Sequence, residues 1–452
     1  QPDQKVQDAM VAAALSDNSG TEFLTHLCDD FGARMTGSEN NNKALERTVG
    51  ELKKLGVRVR LEKFTMPGWV RGDDEAVMTA PVKRKLRVAS LSYTQPHRKF
   101  EAEVVDILAG REEDFAGLIT KGKIGLLAPN AALSSRQIQA AAIAHGLRAV
   151  LFTDRVGGGQ LLARTGSFNG EPLTIPIYGI TQEEGLWMAR LLKRGEKVSV
   201  SLQTRSYCQP IDTANIVVTF PGRTADLIVA GAHFDSWDLG QGATDNGLGT
   251  AQLYSLAKLL QKYSPQNLRT IELVWFNGEE EGLFGSRYHA PRLKDRPVTA
   301  MLNLDMVGFP LVVNSLGYDE LLPALQRFDD SLGARKLKEG VGNINWFGSD
   351  HTSFQLEGIP SLTLGGRIEP DVVRYYHDFG DTVEKVDPRM IPETSATIAA
   401  LIYRLANDPE LRTVRYTPTE TALLFRKFDL EKRMKGLGLW PFVELPADPK
   451  KP

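Results

Sequence analysis

Apolar residues recur along the chain with two different periods, and the changes of period divide it. Between residues 2 and 15 they fall at helical spacing. A second helical stretch carries Ala44, Leu45, Val49 and Leu52, with Ser38 ahead of it as a helix cap and Gly56 behind it as a stop. Val57-Arg-Val-Arg-Leu61 then alternates with period two and predicts a strand joined tightly to that helix. From about 85 to 204, apolar segments at 102–108, 123–127, 149–153 and 197–202 predict short strands, with a helix over 134–145 that Gly146 ends. After Asp212 the rhythm becomes strand, Gly/Asp-rich turn, helix. A continuous apolar strand is expected at 227–232, further strands at 270–276, 300–304 and 359–364, and a helix at 249–260. Strands apolar on both faces that alternate with helices predict an α/β fold with a mainly parallel (mixed) sheet flanked by helices. No internal repeat stands out.

Ligands of such sheets bind at the carboxyl ends of the strands, and the acidic and histidine residues fall there. The strand at 227–232 delivers His233-Phe-Asp235, followed by Gly240-Gln-Gly-Ala-Thr-Asp245-Asn-Gly-Leu-Gly249 at a helix start. The strand at 270–276 ends in Asn277-Gly-Glu279-Glu280-Glu281-Gly282, that at 300–304 ends in Asp305, and Tyr375-Tyr376-His377-Asp378 lies beyond the fourth. Two imidazoles and three carboxylates suit a pair of divalent zinc ions. Asp245 is the natural bridge, His233 and Asp305 complete one metal, and Glu280 and His377 the other. Such a pair activates a shared water and polarises a carbonyl, which is hydrolase chemistry. Glu279 points away from its neighbour Glu280 and is left as general base. Asp235 is expected to accept the second N–H of the His233 ring and fix its tautomer.

Each fragment alone has a plainer reading. A histidine at a strand end is usually structural, and a Glu-Glu-Glu run is usually a solvated turn. The 240–249 loop could cradle phosphate, but it lacks the Lys-Ser/Thr of a P-loop and Asp245 would repel the anion. His26, His97, His145 and His289 have no acidic neighbours at strand ends and read as structural, while Asp350-His351 is balanced between a helix cap and a place near the site. The agreement of five ligands and a base, all at strand ends, favours function.

Composition bounds the rest. At about 150 residues per domain, 452 residues suggest two or three domains. Residues 83–205 carry none of the acidic-histidine clusters and read as an insert. It splits a catalytic domain at 1–82 and 206–410, and a basic, aromatic C-terminal extension at 411–452 is expected to pack on the surface. Lys+Arg 54 against Asp+Glu 56 gives a net charge of -2, with no basic field for nucleic acid. Apolar residues at 42% and charged ones at 24% describe an ordinary folded chain. The apolar runs at 140–144 and 227–232 fall far short of the roughly 18 residues of a membrane span. Cys28 and Cys208 form no framework, and one optional bridge between them stays open. A start at Gln1-Pro2 without Met is consistent with a removed secretion signal, so a secreted or periplasmic location is the expectation, and an artificial start is equally compatible.

In its site motifs the chain resembles the co-catalytic zinc exopeptidases of the leucyl-aminopeptidase and glutamate-carboxypeptidase type, above all the carboxypeptidase Q branch. The likeness lies in His233-Phe-Asp-Ser-Trp-Asp-Leu-Gly-Gln-Gly-Ala-Thr-Asp245-Asn-Gly, Phe276-Asn-Gly-Glu-Glu-Glu-Gly-Leu-Phe-Gly-Ser286 and Asn303-Leu-Asp305. It continues in Gly348-Ser-Asp-His-Thr-Ser-Phe354, His377-Asp-Phe-Gly-Asp-Thr382 and Arg34-Met-Thr-Gly-Ser38. It implies that His233, Asp245, Glu280, Asp305 and His377 bind two Zn2+ per chain, in agreement with the chemistry read above, and that Glu279 is the base. Tyr376 matches a position that stabilises the oxyanion in glutamate-carboxypeptidase-like relatives. The insert resembles a protease-associated domain through Lys121-Gly-Lys-Ile-Gly-Leu-Leu127, Gly146-Leu-Arg-Ala-Val-Leu-Phe152 and Ile175-Pro-Ile177, used in the family as a lid or docking surface. A peptide substrate and a homodimer, with the extension as a contact, are implied too. Aminopeptidase or dipeptidase action is the reading preferred, with a carboxypeptidase, a single-zinc glutaminyl cyclase and an inactive receptor-like ectodomain as alternatives. Retention of all five ligands speaks against the last two.

Overall fold

The computed structural model describes residues 2–263 and 266–443; Gln1 and residues 444–452 of the expected C-terminal extension lie outside the described residues. The first half of the chain forms β1 (Val59–Val70), β2 (Asp74–Ala80), β3 (Arg84–Leu86), β4 (Val88–Ser90), β5 (His97–Asp106), β6 (Ile124–Leu127), β7 (Ala149–Thr153), β8 (Ile177–Ile180) and β9 (Ser199–Thr204). The second half adds β10 (Tyr207–Phe220), β11 (Leu227–His233), β12 (Thr270–Phe276), β13 (Val298–Asn303), β14 (Phe309–Asn314), β15 (Gly340–Gly342) and β16 (Ser361–Arg367).

Two eight-stranded sheets result. The first runs β1-β10-β12-β11-β13-β16-β14-β15. Its centre, β12-β11-β13-β16, is parallel, and antiparallel pairings at β1/β10, β10/β12 and β14/β16 flank it. Every residue of β11 and β13 is buried, which explains their apolar-rich sequences. Helices cover the sheet, notably Leu248–Tyr263 and Met390–Asn407, each with an almost wholly buried sequence. None among the described residues is long and apolar enough to cross a membrane.

The second sheet runs β3-β2-β9-β5-β6-β7-β8-β4 around its own apolar cluster of Ile124, Leu151, Ile180, Val200 and neighbours. β2 hydrogen-bonds to β9 here, so the chain enters this sheet at Asp74, ahead of the expected boundary at 83. β1 also exceeds the strand expected at 57–61, because it is an edge strand and tolerates Pro67.

The basic, aromatic C-terminal segment is more deeply built in than a surface extension. Its helices Pro418–Lys427 and Glu431–Leu437 bury Phe425 and Met434 completely against Phe347, beside Phe168 of the loop after β7. The Ser134 hydroxyl, at the start of the helix Ser135–Ala144, donates to the Gly436 carbonyl at 2.9 Å. The segment therefore touches both the loop after β7 and the helix Ser135–Ala144. Cys28 and Cys208 are free thiols, which closes the option of a bridge; burial pushes the Cys28 thiol up to about 12.

His289 is structural, and its acidic neighbours come from the interiors of β1 and β12. Its ring is buried between Glu62, 2.8 Å from Nδ1, and Glu272, 3.4 Å from Nε2, with Arg60 and Arg296 on the outer carboxylate oxygens. Burial disfavours the imidazolium, but the two glutamates raise its pKa above 6.5. Burial likewise opposes ionisation of Glu62, yet the His289 contact holds it down to about 2. The histidine's contribution is present below its unfolded pKa of 6.5 and is lost as pH rises through the raised folded value. That of Glu62 is present above 4.5 and is lost as pH falls toward 2. His289→Ala leaves two buried carboxylates facing each other and is expected to cost about 3–5 kcal/mol. Denaturant unfolding should show the deficit largest between about pH 4.5 and 6.5 and narrowing as pH rises.

Candidate active site

The parallel strands β11, β12, β13 and β16 end on one side of the sheet, and the loops that follow them line a cavity of about 610 Å³. β11 ends on His233, whose carbonyl accepts from the Thr250 hydroxyl at 3.0 Å. Glu279 and Glu280 follow β12 after Gly278, which turns the chain at φ +80. Asp305 follows β13, and His377 lies in the loop beyond β16 with its own backbone at φ +62. Gly240 packs against the backbone of that last loop, where a Cβ would come within 2.4 Å of the Asp378 carbonyl oxygen.

Asp245 lies between two groups of donors. Its Oδ1 is 3.1 Å from His233 Nε2, which is itself 3.5 Å from Asp305 Oδ1. Its Oδ2 is 3.0 Å from His377 Nε2, which is 3.1 Å from Glu280 Oε2. His233, Asp245 and Glu280 present atoms within 4.8 Å of one another, a spacing able to hold a metal ion. The second carboxylate oxygen of Glu280, Oε1, is buried with no hydrogen-bond partner, an acceptor left for a cation. Imidazole nitrogen and carboxylate oxygen are the donors zinc accepts. Burial and the Asp245 charge push Glu280 up to about 7 against the pull of His377. Burial, Glu280 and Asp305 likewise push Glu279 well above the usual carboxylate range against His233. On the imidazoles burial works the other way, and the carboxylates prevail: His377 rises to about 9 and His233 well above 6.5.

Asp235 is at the site, but with different partners from those expected. Its carboxylate accepts the backbone N–H of Glu279 and of Glu280, both at 3.2 Å, and so sets the turn that carries them. The His233 Nδ1 hydrogen bond goes to the Asp235 backbone carbonyl at 3.1 Å, whereas Oδ1 stands 3.7 Å away. Tyr376 lines the cavity with its ring stacked 3.6 Å from that of His377; burial and the surrounding carboxylates keep its phenol protonated. Asp350, fully buried, accepts no helix-capping bond and carries no hydrogen-bond partner on either oxygen. Burial pushes it up to about 7, with the charges of His233, Asp235 and Asp305 acting on it, although Asp350 is not among the residues that line the cavity. His351 is buried at Trp346, with Nε2 on its carbonyl at 3.0 Å.

Several positioning contacts escaped the sequence reading. Arg34, fully buried, donates to the carbonyls of Phe234, Gly32, Gln241 and Gly242 and clamps the loop that carries Asp245. Asp381 accepts the backbone N–H groups of Thr244 and Asp245 at 2.8 and 3.1 Å. The loop after β7 reaches across from the second sheet. Its Ala163 carbonyl faces His377 Nδ1 at 3.0 Å, and its Thr165 hydroxyl donates to the Glu280 carbonyl at 2.6 Å. One signal was available for that loop: 23 residues without regular structure between β7 and β8 exceed an ordinary connection and mark a functional one.

Residues 215–402, which include all of these acidic and histidine positions, match the model of peptidase family M28. Carboxypeptidase Q of Bos taurus is 28% identical over 428 residues, covering 87% of this chain and 86% of that protein. Leucine aminopeptidase 2 of Trichophyton equinum is 30% identical over 419 residues, covering 84% and 82%. The fold is shared with a peptidase M28 precursor from Shewanella amazonensis, at TM-score 0.80 and 23% identity over 92% of this chain and 99% of that one. A zinc aminopeptidase from Bacillus subtilis aligns at TM-score 0.71 and 21% identity, over 88% and 96%. Strand-end chemistry, fold and near full-length similarity converge: the chain belongs to peptidase family M28 and is a hydrolase of peptide bonds.

Proposed function

We propose that the protein is a dinuclear zinc exopeptidase of aminopeptidase or dipeptidase type that acts on short peptides. The observation that carries this is the division of Asp245. One oxygen belongs to the His233 and Asp305 group, the other to the His377 and Glu280 group, as a carboxylate bridging two cations requires. Zinc bound there supplies Lewis acidity, which lowers the pKa of water toward neutrality and polarises a carbonyl.

The side chains of this chain then divide the work. Glu279 lines the cavity beside the ligands, takes a proton from the attacking water and passes it to the leaving amine as the C–N bond breaks. The Tyr376 phenol donates a hydrogen bond to the carbonyl oxygen as it gains charge. Asp235 holds the turn bearing Glu279 and Glu280, and the Ala163 carbonyl holds the His377 tautomer. The second sheet acts as an inserted unit that closes the substrate side of the cavity; Leu162, Thr165 and Phe168 of its long loop support this reading.

Metal analysis tests it directly. Atomic absorption should give two zinc ions per chain, and chelation should abolish hydrolysis of free dipeptides, with activity regained on adding zinc. One zinc per chain together with cyclisation of Gln-peptides would favour the single-zinc cyclase instead. Retained hydrolysis after complete removal of metal would overturn the metallopeptidase mechanism.

A further inference from the structure

Every carboxylate that lines the cavity, namely Asp245, Glu279, Glu280 and Asp305, belongs to the metal-ligand and base cluster. Beyond these and the imidazoles of His233 and His377 in the same cluster, the ionisable side chains in its wall are Arg155, Arg374 and Tyr376. Two divalent cations would balance those four carboxylates, so the wall adds two positive charges to a neutral centre. In a chain of net charge -2 this local excess is not inherited from the composition.

Neither arginine has an acidic partner of its own among the described residues. Arg374 is nevertheless held in place: Nε donates to Gln160 Oε1 at 2.8 Å and Nη2 to the Gly157 carbonyl at 2.7 Å. The amide of the buried Gln160 donates back to the Arg374 carbonyl at 2.9 Å. These partners are neutral, so they orient the guanidinium without neutralising it. Arg155 sits just after β7, beside Arg164. That neighbour is committed to Asp154 at 3.0 Å, and the Arg155 charge adds to the burial that lowers its pKa. Both arginines are exposed, but whereas an unpartnered arginine keeps its rotamer freedom, Arg374 is fixed by two neutral acceptors at the cavity wall and so is pre-organised for an anion, and carboxylate is the anion its planar fork matches.

Resting on the peptidase reading above, we propose that Arg374, assisted by Arg155, recognises a carboxylate of the substrate, making the preferred substrates short peptides that carry one. Two sources share that chemistry: the free C-terminus of a dipeptide and the side chain of an acidic residue. Among the described residues no carboxylate outside the cluster of ligands and base lines the cavity to receive a substrate ammonium, so the anionic group is the end with a dedicated partner.

The test compares kcat/KM of the zinc-loaded enzyme on Leu-Leu, Leu-Leu-amide and Leu-Glu-amide. Wild type is expected to favour a carboxylate-bearing substrate over Leu-Leu-amide by about 10–100-fold, the range of hydrogen bonds to a charged group. Preference for Leu-Leu assigns the C-terminus, and preference for Leu-Glu-amide assigns the side chain. Arg374→Gln should collapse the carboxylate-to-amide ratio toward one, chiefly through KM, and Arg374→Lys should restore part of it. Zinc content and thermal unfolding verify that the variant is folded. Equal kcat/KM for all three substrates in wild type, or a ratio unchanged by Arg374→Gln, would overturn the assignment. Failure to hydrolyse any of the three would instead count against the exopeptidase reading on which it rests.

Discussion

Glu279→Gln is expected to retain zinc and lose roughly 10²–10⁴-fold in kcat, the share a positioned general base contributes. The amide has the size and hydrogen-bonding capacity of the carboxylate but cannot accept a proton. Its backbone stays where the Asp235 carboxylate holds it, because that contact is made by the Glu279 N–H. Stability should change little or improve slightly, since burial and the charges of Glu280, Asp305 and Asp350 already disfavour the ionised side chain. Steady-state kinetics with zinc analysis and a thermal melt on the same sample separate these effects. Full activity would show that another group takes the proton, and the buried Asp350, with both oxygens unpartnered, would be the first to replace next.

The central strands were legible for a physical reason. A strand in a parallel sheet covered on both faces is mostly apolar, and β11, β12 and β13 show that as apolar-rich runs that end in polar residues, with Glu272 in β12 and Thr299 in β13 as the interior exceptions. The ends of those runs therefore marked His233, Glu279, Glu280 and Asp305 before any contact was known. His377 is separated from β16 by the short helix Pro370–Val373, and the segment Tyr375-Tyr376-His377-Asp378 located it rather than the end of a strand.

Two kinds of feature stayed hidden. Edge strands follow weaker rules: β1 continues through Pro67 and Gly68 because only one of its sides is paired, so residues that read as breakers are accommodated. β2 reaches its sheet by pairing with β9, far away in sequence, and nothing local in Asp74–Ala80 announces that partner. The other hidden kind is work done by the backbone. The Ala163 carbonyl orients His377, the Asp235 carbonyl orients His233, and Arg34 reads four carbonyls; a carbonyl is present at every position and leaves no mark in the side-chain pattern. The expected partnership of the Asp235 carboxylate with His233 failed on this point. The ring found the nearer carbonyl, and the carboxylate was free to hold the turn after β12.

Asp245→Asn should be as severe as loss of the base, by a different route that a metal assay can see. Two cations need two oxygens from the bridging group, and an amide offers one oxygen and an NH2 that has no lone pair to give. Whichever way the amide turns, either the His233 and Asp305 group or the His377 and Glu280 group faces the NH2. The local fold should survive, because the contact of Asp381 with this loop is made through the backbone N–H groups of Thr244 and Asp245, and Arg34 grips the carbonyls of Gln241 and Gly242. Expected, then, are a folded protein by circular dichroism, a zinc content falling from two ions toward one, and affinity for the weaker ion reduced beyond the 10–100-fold that loss of an outer partner costs. Hydrolysis should fall with it and should not recover at high zinc, since the variant cannot present both oxygens at once. Asp381→Asn makes the contrast: it keeps the bridge and weakens only its support, so a smaller loss that excess zinc repairs is expected. Two tightly held zinc ions in Asp245→Asn, with turnover near wild type, would remove Asp245 from the bridge and with it the argument for a paired-metal centre.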